Sequence, residues 1–418
     1  MEGSRREVKD VYARMKQSKS VNRALEFLFE DDIRTLKEQI ALAEIPAPPF
    51  SEHTRAVDFE KRLQSLGLEN VRRDEEGNVY GDHKGSGGGP TLFVSAHLDS
   101  VFSADVDTAV TEKDGVYYGP GITDDARGLA ALLSVVRALK AAGIETTGDV
   151  IFGGTVGEEG QGDLRGVKTF FSENKNVDGF LSIDTVSPQE IIYTGTGSYR
   201  YMIRFRGPGG HSFGSFGTPS AVHAAARATA AIADLETESE PKTTFNVGMI
   251  EGGAIPTAIA ETCEMGVDIR SDGIAQLKAL EEKIQRIVER AVRVENERWG
   301  YGETKGVAAT MEKIGDRPVA PQSDGHIIVQ TAWHATEALA LTPRLAKPVS
   351  TDANFPISIG VPSLTLGGGG EAGAAHSLDE WYQPKRSYLG PQRILLIILG
   401  LAGISLESIL SPPLLPKR

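Results

Sequence analysis

Apolar and polar positions in both outer parts of the chain form a pattern that predicts strands and helices in alternation. Short apolar runs at residues 91–96, 150–154 and 179–183 are typical of buried strands. The run 126–142 is rich in small apolar residues and is followed by Gly143, which indicates a helix with a glycine at its C-terminal end. Strands that alternate with helices predict an α/β domain with a largely parallel sheet.

The pattern changes near residue 196 and changes back near residue 315. The intervening segments follow the order β-α-β-β-α-β, which is the ferredoxin-like, split-βαβ arrangement. They are predicted at residues 199–205, 219–235, 243–250, 261–269, 276–299 and 306–313. We therefore predict that residues 1–195 and 315–418 form the two parts of one domain. Residues 196–314 are predicted to form a smaller α+β domain inserted into it.

The two ends of the chain differ in character. Residues 1–20 are polar, and we expect them to be loosely ordered. Residues 394–404 form the longest apolar run, which is well short of the roughly 20 residues that a membrane span needs. This run predicts a buried C-terminal helix.

Composition and charge narrow the functional classes. The chain has 418 residues, of which 40% are hydrophobic and 24% charged, and its formal net charge is -13. This acidic balance argues against a nucleic acid or an anionic membrane as partner, because both need a basic face. Cys263 is the only cysteine, so no disulfide can form within the chain. With a charged N-terminus that lacks an apolar signal region, a cytoplasmic location is predicted.

Carboxylates and imidazoles lie at or just after the ends of predicted strands. A lone histidine there is usually a turn residue, and a lone aspartate before a helix is usually an N-cap. Together they suit zinc, with cobalt and manganese as alternatives. Five ligands are too many for one catalytic zinc but suit two metals about 3.5 Å apart that share one carboxylate. The candidate ligands are His97, Asp124, Glu159, Asp184 and His376.

Two further carboxylates accompany these ligands. Glu158 and Glu159 are adjacent between glycines, and neighbouring like charges disfavour each other's ionisation. A nearby cation or a shared proton would relieve this repulsion, whereas a solvated acidic turn is the alternative for an isolated pair. Asp99 follows His97 by two residues and could accept the second ring N–H of a metal-bound histidine. A capped turn is the alternative for Asp99.

Several motifs occur in an order that points to one family. They are AHLDS at 96–100, GPGITDD at 119–125, TVGEEG at 155–160, STDAN at 350–354 and AHSLDE at 375–380. The chain resembles the co-catalytic zinc exopeptidase and aminoacylase family, which includes peptidase T, glutamate carboxypeptidases and desuccinylases. It looks closest to the tripeptidase-like members. The resemblance implies a mostly parallel-sheet zinc-hydrolase domain with an inserted ferredoxin-like lid or dimerisation domain.

The resemblance also implies roles for single residues. His97 and Asp184 would bind one zinc, Glu159 and His376 the other, and Asp124 would bridge both. Glu158 would be the general base, and Asp99 would orient His97. The peptide bond after the bridging aspartate is often cis in the family, which implies the same for Asp124–Asp125.

Substrate-side residues follow from the same resemblance. His211 would reach the partner subunit's active site and stabilise the oxyanion, and Arg270 and Asn354 would bind substrate. An ordinary loop histidine and a surface ion pair are the alternatives for His211 and Arg270. Thr257 and Ala260 stand where relatives often have Asn and Pro, so the family's substrate specificity is not carried over.

The predicted activity is hydrolysis of an amide bond in short peptides, by a water activated by two zinc ions with Glu158 as base. An N-acyl amino acid amidohydrolase is the alternative, followed by a non-catalytic metal- or peptide-binding member. A nucleotide site at the glycine run 367–370 has little support because it lacks a phosphate-loop lysine. A homodimer through the inserted domain is expected, since His211 would act in trans.

Overall fold

The protein is described by a computed structural model for residues 2–302, 305–406 and 409–417. The chain forms two compact units. The first unit contains the residues up to Gly195 and those from Ala320 onwards, and the second unit is Thr196–Val319. Each unit has its own hydrophobic core.

The first unit is built from helices around a central sheet. Its helices are α1 Glu2–Met15, α2 Lys19–Glu30, α3 Asp32–Ala43, α4 His53–Ser65, α5 Ala126–Ala142, α6 Arg165–Glu173, α9 Ile327–Ala338, α10 Asn354–Ser358 and α11 Leu389–Ala402. The strands of its central sheet are β1 Glu69–Arg73, β2 Val79–His83, β3 Thr91–His97, β6 Asp149–Thr155, β7 Gly179–Ile183, β8 Glu190–Ile192, β15 Arg344–Leu345 and β16 Ser363–Leu366. Its smaller sheets use β4 Thr111–Lys113, β5 Val116–Tyr118, β17 Glu371–Gly373, β18 Trp381–Gln383, β19 Ile404–Leu406 and β20 Ile409–Ser411.

The central sheet is mixed but mostly parallel, with the strand order β1-β2-β6-β3-β7-β16-β8-β15. The contiguous strands β6, β3, β7 and β16 are parallel to one another, and β8 is parallel to β15. Residue pairs such as His97 with Thr155 fix the register of β3 against β6. The carboxyl ends of β3, β6 and β7 therefore meet at one edge of the sheet, where ligands of α/β proteins bind.

Helix α5 begins directly after the sequence GPGITDD and covers this sheet. The Asp125 carboxylate accepts a hydrogen bond from the Gly128 N–H at 3.0 Å, which caps the N-terminus of the helix. At the other end, Gly143 ends the helix with φ of 62°, a conformation that glycine adopts without a steric penalty. Most α5 side chains are buried, as are those of α11, which confirms the buried C-terminal helix.

The prediction of loose order for residues 1–20 was wrong, because α1 and the start of α2 occupy most of this segment. Val8, Val11, Tyr12 and Met15 are all buried, and their i, i+3, i+4, i+7 spacing forms one helical face. The Tyr12 hydroxyl donates a hydrogen bond to the Leu396 carbonyl at 3.1 Å. This narrow stripe is easily overlooked among the many charged residues around it.

The second unit contains α7 Ala221–Ala233 and α8 Ile274–Arg298 with β9 Gly197–Arg206, β10 Gly210–His211, β11 Thr243–Gly252, β12 Ala258–Ile259, β13 Thr262–Ser271 and β14 Ala308–Arg317. Its main sheet is antiparallel, with the order β11-β13-β9-β14. Apolar side chains of β9 and β13 form one core with those of α7 and α8. A short ribbon pairs His211 of β10 with Ala258 of β12.

Among the helices of the described residues, none combines the length and the apolar character that crossing a bilayer requires.

Candidate metal centre

The centre of the candidate site is the Asp124 carboxylate, whose two oxygens face two different imidazoles. Oδ1 lies 2.8 Å from His97 Nε2, and Oδ2 lies 2.8 Å from His376 Nε2. The two histidines come from opposite ends of the first unit's sequence. A single carboxylate is thus shared between two nitrogen donors, as a bridging ligand of a two-metal site would be.

The other two predicted ligands lie beside these histidines. Glu159 Oε1 is 3.0 Å from His376 Nε2, and Asp184 Oδ1 is 4.0 Å from His97 Nε2. Ligand atoms of His97, Asp124 and Glu159 all lie within 4.8 Å of one another. The structure therefore brings together all five side chains that the sequence analysis selected, as two groups on either side of Asp124.

The sheet explains this convergence. His97 is the last residue of β3, Asp184 follows β7 directly, and Glu159 lies a few residues beyond β6. These parallel strands end at the same edge of the sheet. Asp124 immediately precedes the N-cap of α5, and His376 lies between β17 and β18 with a φ of 64°.

Asp99 contacts both His97 and the turn that carries Glu158 and Glu159. Its Oδ1 accepts a hydrogen bond from the Glu158 N–H at 3.0 Å, and its Oδ2 accepts one from the Glu159 N–H at 2.7 Å. The His97 Nδ1–H donates to the Asp99 backbone carbonyl at 2.9 Å, whereas the Asp99 carboxylate lies 3.6 Å away. Asp99 thus lies against His97, as its predicted role requires, and its carboxylate also positions the Glu158–Glu159 turn.

Asp125 is a supporting residue that the sequence analysis missed. Its Oδ2 accepts a hydrogen bond from the His97 N–H at 3.0 Å, while its Oδ1 caps α5. The side chain is 1% exposed, and the Asp124–Asp125 peptide bond is cis. The signal for this role was present in the sequence as the acidic pair before α5, but only the first aspartate was assigned a function.

The imidazoles of the site lie in strongly acidic surroundings. Hydrogen bonds with Asp124 and Glu159 raise the pKa of His376 to about 10. Burial lowers the pKa of His97, but hydrogen bonds with Asp124 and Asp99 raise it by more. The pKa of His97 therefore lies well above the ordinary value for histidine. Both histidines are thus held by carboxylates that can equally accept a metal cation.

The carboxylates respond in opposite directions. Burial raises the pKa of Asp184 well above its ordinary value, and the nearby charges of Asp124 and Glu158 add to this rise against the attraction of His97. Burial also opposes ionisation of Asp124, but its hydrogen bonds with the two histidines lower its pKa. A bound multivalent cation would offset the repulsion among these closely spaced carboxylates.

Arg55 is a second supporting residue that the sequence analysis missed. Its guanidinium donates to the Leu98 carbonyl at 2.9 Å and to the Ile45 carbonyl at 2.6 Å. Burial lowers its pKa to about 10, while the charges of Asp99 and Asp125 oppose that change. Arg55 therefore holds the backbone between His97 and Asp99 and places a fixed positive charge behind the acidic centre.

His211 and Arg270 belong to the second unit, and both are exposed. His211 Nδ1 accepts hydrogen bonds from the Phe213 and Gly214 N–H groups, each at 3.2 Å. Because Nδ1 is an acceptor, a neutral His211 carries its proton on Nε2 and can donate from there. Arg270 Nε donates to Asp268 Oδ2 at 2.8 Å.

Asn354, the other predicted substrate ligand, lies at the start of α10. Its side chain is fully buried, and its Oδ1 accepts a hydrogen bond from the Thr351 N–H at 3.0 Å. The side chain thus supports the turn at 351–354. Its role in substrate binding stays a prediction.

Comparison with known proteins identifies the family. Residues 93–398 match the model of Peptidase family M20/M25/M40. The match covers most of the chain, so the protein belongs to this family of hydrolases, which is metal-dependent. The predicted relationship to the exopeptidases and aminoacylases is confirmed, as is the α/β fold with a mostly parallel sheet.

Individual relatives have different activities. One relative is an N-formyl-4-amino-5-aminomethyl-2-methylpyrimidine deformylase of Halalkalibacterium halodurans. The chain is 27% identical to it over 302 residues, which cover 65% of this chain and 68% of the relative. A tripeptidase from Staphylococcus aureus has the same fold, with a TM-score of 0.73 and 23% identity over 88% of this chain and 97% of that one. A dinuclear metal binding peptidase from Bacillus subtilis is similar in fold, with a TM-score of 0.65 and 17% identity over 88% and 98% of the two chains.

Proposed function

We propose that this chain cleaves an amide bond in short peptides at a centre of two metal ions. The arrangement of Asp124 between His97 and His376 carries the proposal, because each carboxylate oxygen lies 2.8 Å from a different imidazole nitrogen. A site for one metal would need no such sharing. Family membership supports hydrolysis, and the geometry supports the position at which it occurs.

The donor set fits zinc, with cobalt and manganese as alternatives, because imidazole nitrogens and carboxylate oxygens suit these metals. His97 and Asp184 would hold one ion, Glu159 and His376 the other, and Asp124 both. When bound, such a pair polarises the scissile carbonyl and lowers the pKa of water. The protein supplies the positions: four of the five ligands stand on parallel strand ends or at the start of α5.

Glu158 is the proposed general base. It removes a proton from the attacking water and later delivers that proton to the leaving amine. The residue is 6% exposed, and the Asp99 carboxylate holds its backbone N–H. A base fixed in this way needs little reorganisation as the proton moves, which favours proton transfer within the bound complex.

Two residues of the second unit are proposed to act on the substrate. His211 Nε2–H would donate to the oxygen that becomes negative as the amide carbonyl is attacked. Arg270 would bind the substrate carboxylate, for which a planar guanidinium is well suited. In this proposal the second unit is a lid and dimerisation domain, and His211 serves the site of the partner subunit.

The edges of the second unit's sheet support a homodimer through β11. β11 has the sequence TTFNVGMIEG, with no lysine, arginine or proline, and exposes Met249 and Ile250. The opposite edge strand, β14, carries Glu312, Lys313 and Asp316. Charged residues protect sheet edges from pairing. β11 carries one of them, Glu251 near its C-terminal end, whereas β14 carries four, so β11 is the less protected edge. A two-fold pairing of β11 with its copy would cover this edge.

The second candidate function is cleavage of an N-acyl group from an amino acid or a related amine. It is favoured by the similarity to a deformylase, whose substrate also has an amide bond. The same centre would serve both reactions, because only the groups on either side of the amide differ. The departures at Thr257 and Ala260 from the family sequence lie in the second unit and leave the metal centre unchanged.

A substrate panel distinguishes the two candidates. Zinc-loaded protein is assayed against di- and tripeptides and against formyl-, acetyl- and succinyl-amino acids, with kcat/KM measured for each. The proposal predicts the highest values for short peptides. Higher values for the acylated amino acids would favour the second candidate. Absence of turnover on the whole panel by a protein that binds two metals would contradict both.

A further inference from the structure

His376 has much less structural support than the other imidazole of the centre. Its side chain is 53% exposed, compared with 1% for His97. The residues around it, 374–379, are largely exposed, and Leu378 is 67% exposed. Packing against the core therefore does not fix this segment. Another interaction must hold His376 at 2.8 Å from Asp124.

Glu380, four residues after His376, provides that interaction. Its side chain is fully buried and accepts hydrogen bonds from the loop that ends in Asp124. Oε2 accepts from the Gly121 N–H at 3.0 Å. Oε1 accepts from the Thr123 N–H at 2.8 Å, from the Asp124 N–H at 3.2 Å and from the Thr123 hydroxyl. One carboxylate thus gathers four donors from a loop that is distant in sequence.

Backbone pairing reinforces the same junction. β18 starts directly after Glu380 and pairs with β5, with Trp381 opposite Tyr118. The Gly119 N–H donates to the Glu380 carbonyl at 3.1 Å. Both the backbone and the side chain of Glu380 therefore connect the segment that carries His376 to the segment that carries Asp124.

We propose that Glu380 is a positioning residue that sets His376 against Asp124 and thereby forms the metal site on the His376–Glu159 side. Glu380 does not contact the metal or the substrate. The other side of the centre, with His97 and Asp184, is positioned independently by β3 and β7. Asp124 is shared by both ions, so loss of Glu380 should weaken both sites, and the site with His376 and Glu159 more strongly. This inference rests on the proposed two-metal function.

The test is a metal titration of the apoprotein, by calorimetry with Zn²⁺ and by visible absorption with Co²⁺. Wild type should bind two ions. Glu380→Gln places an amide N–H₂ against backbone donors, so its second ion should bind about 10–100-fold more weakly, and the first ion should lose less affinity than the second. Asp379→Asn is the matched control, because it removes an exposed neighbouring carboxylate and should leave both affinities unchanged.

A second pair of variants keeps the proposal testable if Glu380→Gln does not fold. Thr123→Val removes one donor to Glu380 and should weaken the second ion to a smaller extent, whereas Thr123→Ser restores the hydroxyl and should restore the affinity. Two ions bound with wild-type affinity by Glu380→Gln, or by Thr123→Val where that variant is used, would overturn this inference but not the proposed function. A wild-type chain that binds no metal would overturn both.

Discussion

At the scale of single residues, the sequence predicts which side chains gather at the centre but not how they are held. The donors could be predicted because parallel strands end at one edge of a sheet and metals prefer these residue types. The supporting contacts of Asp99, Asp125 and Glu380 are mostly with backbone N–H groups. Every residue except proline supplies such a donor, so no sequence motif identifies the partner of the carboxylate, and the fold is needed to find it.

Glu158 gives the sharpest test of chemistry at this scale. Glu158→Gln keeps the shape of the side chain but cannot accept the proton, so kcat should fall by about 10²–10⁴-fold. Metal content should stay at two ions per chain, because Glu158 is not a proposed ligand. Steady-state kinetics and elemental analysis of the same preparation check both points. Glu173→Gln, at the exposed end of α6, is the control and should have wild-type kinetics. Full activity of Glu158→Gln would exclude this residue as the base.

Asp99 tests the contact that holds the base. Asp99→Asn must direct its amide N–H₂ towards either the Glu158 N–H or the Glu159 N–H, because both carboxylate oxygens accept hydrogen bonds. We expect kcat/KM to fall by about 10–100-fold. Asp105→Asn replaces an exposed aspartate nearby and should have no effect. Unchanged kinetics in Asp99→Asn would show that the Glu158–Glu159 turn keeps its position without this carboxylate.

At the scale of elements, prediction succeeded where one signal dominated and failed where signals competed. The helix 126–142 was predicted with the bounds that α5 has, because the run is rich in small apolar residues and Gly143 ends it. Helix α1 was missed because charged residues surround its narrow apolar stripe. Its stability comes from packing on other elements, which a local pattern records only weakly.

The buried face of α1 can be tested by truncation. Met15 is 1% exposed, so Met15→Ala should lower the free energy of unfolding by about 2–5 kcal/mol through lost burial and the cavity left behind. The exposed neighbour Arg14 is the control, and Arg14→Ala should stay within about 0.5 kcal/mol of wild type. Urea denaturation followed by circular dichroism measures both. Equal stabilities would contradict the packing of Met15 against the core of the first unit.

At the scale of the whole molecule, the sequence pattern predicted a change of architecture near residues 196 and 315, and the two compact units divide at 195/196 and 319/320. The strands differ between the units: β3, β6 and β7 are almost continuously buried, whereas β9 and β13 alternate between buried and partly exposed residues. The oligomeric state cannot be predicted in the same way as the division into units. No pattern within one chain determines whether an exposed edge pairs with another copy, so the dimer stays a prediction.

That prediction has a matched pair of variants. Ile250 on β11 and Ile314 on β14 are 48% and 43% exposed, and each lies on an edge strand of the same sheet. Ile250→Lys should shift the dimer to monomer, because the added charge would be buried in the proposed pairing. Ile314→Lys should leave the dimer intact. Light scattering after size-exclusion chromatography reports the mass, and a monomeric wild type, or the opposite response of the two variants, would contradict pairing through β11.

The proposed centre has two metal ions, one on either side of Asp124. Anomalous diffraction at the zinc absorption edge, from crystals of the zinc-loaded protein, locates these ions. Two peaks about 3.5–4 Å apart are expected. One should lie within bonding distance of His97 and Asp184 and the other within bonding distance of Glu159 and His376, with Asp124 between them. A single peak, or peaks away from Asp124, would contradict the account.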